Sequence, residues 1–152
     1  MPLTNSNTNT LTSRPSIKGP AGPPPPPPQP TPSQFVAPTN TGINMTAAIA
    51  APAVVNTPYA GGELGAFYDL NGDGNLQCVG LSAIPDPSNT FSLVIWGRTP
   101  GSPTKDGLDA GDIPMFAILD GGVVYELDPS PVFPGYVDNG IILVTGGTVT
   151  PL

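Results

Sequence analysis

Gly19–Pro32 reads GPAGPPPPPPQPTP, with six consecutive prolines from Pro23 to Pro28. No other stretch restricts the backbone so severely. Each pyrrolidine ring fixes φ near about −65° and removes an amide donor, so neither a helix interior nor a central strand can pass through the run. The expected state is a stiff, solvated polyproline II rod with Pro23, Pro24, Pro25, Pro26, Pro27 and Pro28 at its centre. At about 3.1 Å per residue, Pro20–Pro32 would span about 40 Å. The chain then divides into an Asn/Thr-rich segment over 1–18, a proline-rich linker over 19–39 and a body over 40–152. The body is long enough for one modest core and not for two.

Charge is sparse and divided. Residues 1–62 hold Arg14 and Lys18 and no acid, while residues 63–152 hold all eleven acids against Arg98 and Lys105, which leaves a net charge of −7. Such acidity argues against nucleic acid as a partner. A weakly basic arm and an acidic body attract each other within one molecule or between copies. The chain has no histidine, which removes imidazole metal sites, Ser-His triads and the commonest general base. Cys78 is the single cysteine, without an internal disulfide partner, and is expected as a small buried hydrophobe. No apolar run of about eighteen residues is present, so membrane insertion is not expected. No charged region followed by an apolar one opens the sequence, so an extracellular location would require earlier processing or another export route.

From Ile43 onward the pattern predicts seven short strands: 43–50, 64–68, 76–81, 90–96, 115–119, 123–127 and 141–144. Gly, Pro, Asn and Asp clusters separate them, and Asp120-Gly121-Gly122 is a strong hairpin signal. Phe91, Leu93 and Ile95 alternate onto one face, as do Met115, Ala117 and Leu119, and as do Gly65 and Phe67. The closest approach to helical periodicity, over 47–55, is interrupted by Pro52. The expected fold is all-β: an antiparallel β-sandwich, jelly-roll or immunoglobulin-like, preceded by the extended arm.

Five pieces carry a resemblance: Thr41-Gly42-Ile43-Asn44-Met45-Thr46, Gly62-Glu63-Leu64-Gly65-Ala66-Phe67, Cys78-Val79-Gly80, Leu93-Val94-Ile95-Trp96-Gly97, and Lys105-Asp106-Gly107-Leu108 with Gly111-Asp112. Together, over about residues 40–128, they resemble a β-sandwich domain that recurs in secreted bacterial surface proteins and in fibre proteins of some marine phages. The resemblance implies an all-β extracellular module rather than a reaction. It departs at Arg98-Thr99, where two acids are common, and it does not account for the proline arm.

Candidate chemistry is limited. Asp69, Asn71 and Asp73 place oxygens at positions 1, 3 and 5 of a calcium-loop pattern. Gly74 stands at position 6, Asn75 offers a carbonyl at 7 and Gln77 a side chain at 9. Gly80 stands at position 12, where a bidentate Glu closes such loops. The same residues also make an ordinary glycine hairpin, and both readings are open. Calcium is the one cofactor the sequence raises. Asp106, Asp109 and Asp112 form a second acidic loop, with surface carboxylates as its ordinary explanation. Glu63, Glu126, Asp128 and Asp138 are available as paired acids, yet nothing fixes a spacing between them, and an enzyme is not expected. Asn44-Met45-Thr46 matches a glycosylation sequon at the start of a predicted strand.

These features point first to a structural role: a subunit of an extracellular helical filament. In this reading Thr4, Asn5, Asn7, Asn9, Leu11, Arg14 and Lys18 form an assembly arm that docks on a neighbouring copy, by strand addition or in a groove. The rod's reach is comparable with the width of a body of this size, about 35 Å. The partner is then a second copy of the chain. The alternative is an adhesin or carbohydrate-binding module on a stalk, in which Tyr59, Tyr68, Phe133 or Tyr136 would stack on glycans. A phage or collagen-like fibre is the third reading, weakened because glycine is lost after two Gly-X-Y triplets.

Overall fold

The structure, a computed structural model, describes residues 19–85 and 89–152. Eight strands account for the body: β1 (Asn44–Ile49), β2 (Glu63–Tyr68), β3 (Gln77–Ala83), β4 (Phe91–Trp96), β5 (Met115–Asp120), β6 (Val123–Ser130), β7 (Ile141–Val144) and β8 (Gly146–Pro151). They form a three-stranded sheet, β4-β1-β7, and a five-stranded sheet, β3-β2-β5-β6-β8. The result is the β-sandwich expected from the strand pattern. All seven predicted strands are present, and no end differs by more than three residues.

Two features differ from expectation. β8 is an additional strand, masked in the sequence by Gly146, Gly147 and Pro151. It pairs antiparallel with β6 at the sheet margin. Leu152 N donates to Val124 O, so by strand alternation Gly147, Val149 and Pro151 face the free edge, where a missing donor costs no ladder bond. The second feature is the pairing of β1 with β7, which is parallel, with Thr46 opposite Ile141 and Ile49 opposite Val144.

Local chemistry explains the joints. Gly121 (φ 55°) and Gly122 (φ 82°) make the two-residue turn between β5 and β6, with Asp120 opposite Val123. Pro52 opens a single π turn, Pro52–Asn56, which ends any helical continuation from β1. Buried Asn56 fixes that turn: its Oδ1 accepts from Ala51 N at 3.2 Å and its Nδ2 donates to Asn89 O at 2.6 Å.

The interior lies between the sheets. Met45, Ala47 and Ile49 from β1 and Leu93 and Ile95 from β4 pack against Leu64 and Ala66 from β2 and Ile118 from β5. At Gly80 a Cβ would lie 2.6 Å from Val94 O, so glycine lets β3 approach β4 and closes that side of the sandwich. A second, smaller core sits on the outer face of the five-stranded sheet and contains Phe35, Phe67, Ala117 and Val124. Phe67 therefore faces away from the interior that Leu64 and Ala66 occupy.

Candidate functional site

The second core is built by the arm. Residues 19–28, including all six consecutive prolines, are exposed and carry no regular secondary structure. Pro30 is buried at the β5–β6 turn end of the sheet, where Gln29–Pro32 border Val123, Val124 and Leu152 around a cleft of about 460 Å³. A 3-10 turn, Pro32–Gln34, follows. Thr31 N donates to Gln34 Oε1 at 2.7 Å, and Gln34 Nε2 donates to Leu76 O at 2.6 Å, just before β3. One side chain thus closes the turn and ties it to the sheet.

Phe35 follows and is buried. Its ring meets Phe67 edge-on, with centroids 4.9 Å apart. Gly65 makes the room: a Cβ there would stand 2.5 Å from the Phe67 ring and 3.4 Å from that of Phe35. The chain next borders Leu70, Leu76 and Cys78 in a cleft of about 450 Å³. Finally the Thr41 hydroxyl donates to Gly97 O at 2.6 Å. Residues 29–39, read from the sequence as linker, cross the five-stranded sheet from β6 to β3. The rod enters the molecule on a fixed base.

The far end of the arm, with Thr4, Asn5, Asn7, Asn9, Leu11, Arg14 and Lys18, lies outside the described residues.

At the candidate calcium loop the oxygens serve the backbone. Asp69 Oδ1 accepts from Gly72 N (2.7 Å) and Asp73 N (3.1 Å), and Oδ2 accepts from Gly74 N at 2.8 Å. Asp73 Oδ1 accepts from Asn75 N at 2.9 Å, a bond that holds its carboxyl below the usual range. Gln77 Oε1 accepts from Leu70 N at 2.8 Å. Asn71 and Asn75 are exposed, and Gly80 is buried inside β3. Gly72 and Gly74 take positive φ, 70° and 83°. This geometry is that of a carboxylate-capped glycine turn. Among the described residues no group of three His, Cys, Asp or Glu side chains is placed to hold a metal ion.

The second acidic loop is a charge network. Lys105 Nζ lies 2.6 Å from Asp112 Oδ2 and 3.3 Å from Asp109 Oδ2, and Arg98 Nη1 is 3.8 Å from Asp109 Oδ1. The Tyr68 hydroxyl donates to Asp112 Oδ1 at 2.8 Å, and Lys105 Nζ stands 4.7 Å from the Tyr68 ring centroid. Burial pushes the Asp112 carboxyl up, but the bond from Lys105 and those from Asp109 N and Tyr68 outweigh it and hold it low. Burial pulls Lys105 down, yet its bond to Asp112 and that carboxylate's charge leave it raised. The Tyr68 phenol is raised, first by its bond to Asp112 and then by burial. Arg98 and Lys105, the cations of the body, are both consumed here. Asp106 accepts from Thr99 N at 2.9 Å and pins the loop's opposite side.

Other candidates are dispersed. Phe133 and Tyr136 belong to the interior, so they are removed from the aromatics available to stack on a sugar. Tyr59 and Tyr68 are half-buried. The Tyr136 hydroxyl sits against Gly97, and burial followed by the nearby Asp138 charge pushes its pKa up to about 12. Among the described residues that hydroxyl is buried with no hydrogen-bond partner. Cys78 is partly buried, its Sγ 3.2 Å from Gly80 O, and burial raises its thiol above the ordinary range. Glu126 and Asp128 are exposed on β6, separated by β5 from Glu63 on β2. Asn44 begins β1, opposite Trp96.

Sequence reasoning missed the groove for Phe35. The signal was the Gly65–Phe67 alternation together with one aromatic, Phe35, directly after a proline-rich segment. Comparison of the chain with protein-family models, with curated proteins and with solved structures finds no match.

Proposed function

We propose that the chain is a structural subunit of an extracellular helical filament, in which the N-terminal segment of one copy docks on the body of the next. The observation that carries this reading is the anchored rod. Pro30, Gln34 and Phe35 fix the base of the arm to the five-stranded sheet, while residues 19–28 are exposed. A tether that served only to link would not require a buried aromatic at its base. Fixed at one end, about 31 Å of polyproline II sets a distance and a direction. That reach is comparable with the width of the body, about 35 Å. Repetition of such a heterologous contact without closure builds a filament. The resemblance of about residues 40–128 to secreted and fibre β-sandwich domains supports the same setting. The glycan-binding alternative is weakened by burial of Phe133 and Tyr136.

Negative-stain microscopy of the full chain, beside a variant lacking residues 1–18, tests the reading. Filaments from the first and dispersed particles from the second are expected. Dispersed full-length protein at all concentrations rejects it.

A further inference from the structure

The β5–β6 ladder stops for a chemical reason. Phe116 pairs with Leu127, and the same register places Pro114 opposite Pro129. Neither has a backbone donor. β6 continues past β5 to Ser130, and the mismatch opens a pocket of about 280 Å³. Its wall includes Met115 and Leu127, and its lip includes Ile113 and Val132, which are 63% and 81% exposed. Glu126 and Asp128 stand on the rim, exposed, and neither is in an ion pair with Arg98 or Lys105, the cations among the described residues.

The pocket lies at the opposite end of the hairpin from the arm's base. The base sits beside Gly122 and Val123, where β6 begins. The pocket surrounds Asp128 and Pro129, near where it ends. The five to six residues of strand from Val123 to Asp128 and Pro129 separate the two poles by about 17–20 Å. A tether leaving one pole and an apolar, acid-rimmed pocket at the other make a head-to-tail pair of surfaces.

Resting on the filament reading, the geometry points to residues 11–18 of a neighbouring copy as the occupant. This segment, LTSRPSIK, adjoins the rod at Gly19 and carries Arg14 and Lys18, the two cations of the first 62 residues, together with Leu11 and Ile17. The aliphatic side chains cover Ile113 and Val132. The cations meet Glu126 and Asp128. The charge division noted in the sequence thereby becomes a directional joint.

Charge exchange in the full chain tests this. E126K/D128K and R14E/K18E each reverse one side, and the combined four-residue variant restores opposite signs. Each double variant is expected to raise the concentration needed for polymerisation at least about tenfold, and the combined variant to return within about threefold of the parent. Glu126 and Asp128 are exposed, so unchanged thermal unfolding of E126K/D128K certifies the fold. Normal polymerisation by either double variant, or a combined variant as defective as the doubles, overturns the proposal.

A binding measurement separates its failure from that of the filament reading. A labelled peptide of residues 9–18 is titrated into the full-length R14E/K18E chain and, in parallel, into the full-length E126K/D128K chain, whose own arms are not expected to dock. Affinity about tenfold weaker with E126K/D128K supports the joint even where no filament forms. Equal affinity rejects the joint even where filaments do form.

Discussion

Both halves of the proline arm are rich in proline, and they differ in fate. Residues 19–28 offer only Gly, Ala and Pro, and all are exposed. Residues 29–39 are also proline-rich, yet Pro30 and Phe35 are buried on the sheet. Proline sets stiffness in both. What anchors the second half is one aromatic side chain and one amide, Phe35 and Gln34, and a receiving face with glycine at Gly65. Anchorage comes from apolar area and a satisfied hydrogen bond, while proline lowers the entropy of holding the segment in place.

The largest expected effect follows from removing that difference. Phe35→Ala deletes the ring that covers Phe67 and should cost about 3 kcal/mol in urea unfolding. Amide exchange at Gln34 and Val36 should rise with it. Deletion of residues 19–28 should cost less than about 0.5 kcal/mol, because those residues are exposed and contribute little. Equal costs would erase the distinction between the halves.

Gly65→Ala attacks the receiving face instead. The added methyl would lie 2.5 Å from the Phe67 ring, so one of the two aromatic rings must move. The expected cost is about 2 kcal/mol, with near-ultraviolet dichroism reporting the lost aromatic packing. Gly22→Ala is the matched control in the exposed half, since nothing lies within 4 Å of its Cβ position. A silent Gly65→Ala would mean that the groove adapts and that the anchor is not shape-dependent.

Strands were legible in the sequence because turn chemistry and two-residue alternation are local. Partition of those strands between two sheets was not, since no local signal says that β7 joins β1 in parallel rather than a neighbour in antiparallel. β8 was hidden by glycines that a margin strand tolerates. The outward position of Phe67 was hidden because alternation assigns residues to faces and does not say which face is interior. The pocket beside β6 was partly legible. Pro114 lies seven residues before Gly121, and Pro129 seven after Gly122, so the hairpin signal alone places the prolines opposite each other and ends the ladder. Reading Asp69–Gln77 as calcium loop or turn could not be decided from residue types, because the same oxygens serve either a cation or the backbone N–H groups they accept from here.

An intermediate effect is expected where the anchored half ends. Thr41 bonds to Gly97 O, at the start of the loop organised by Asp112. Asp112→Asn keeps the shape and removes the charge that Lys105 and Tyr68 face, at a cost of about 1.5 kcal/mol. The pH dependence has a fixed sign. The folded carboxyl is held below its ordinary value of 3.8, so its contribution is complete above that value and is lost as pH falls through the folded pKa. The variant should therefore lose part of the parent's decline in stability below about pH 4. Exchange at Gln34 and Phe35 should stay slow, because Leu76 and Phe67 rather than the loop hold them. Fast exchange there would show that the anchor depends on the charge network.

The smallest effect on stability is expected with the largest on assembly. Replacing residues 19–28 by a Gly/Ser sequence of equal length leaves Pro30, Gln34 and Phe35 in place, so unfolding should shift by less than about 0.5 kcal/mol. The reach changes more: ten residues of polyproline II span about 31 Å, whereas a flexible Gly/Ser chain of that length averages about 17 Å between its ends. A flexible tether lets the docking segment sample all directions, which lowers its effective concentration at the neighbour's pocket. Under the filament reading, polymers should become scarcer and irregular in subunit spacing, measured by layer-line sharpness in negative-stain images. Sharp layer lines with the parental repeat would mean that body contacts set the geometry and that the rod's stiffness is incidental. A proline run of two additional residues sharpens the alternative, since a rod that sets distance should lengthen the repeat by up to about 6 Å.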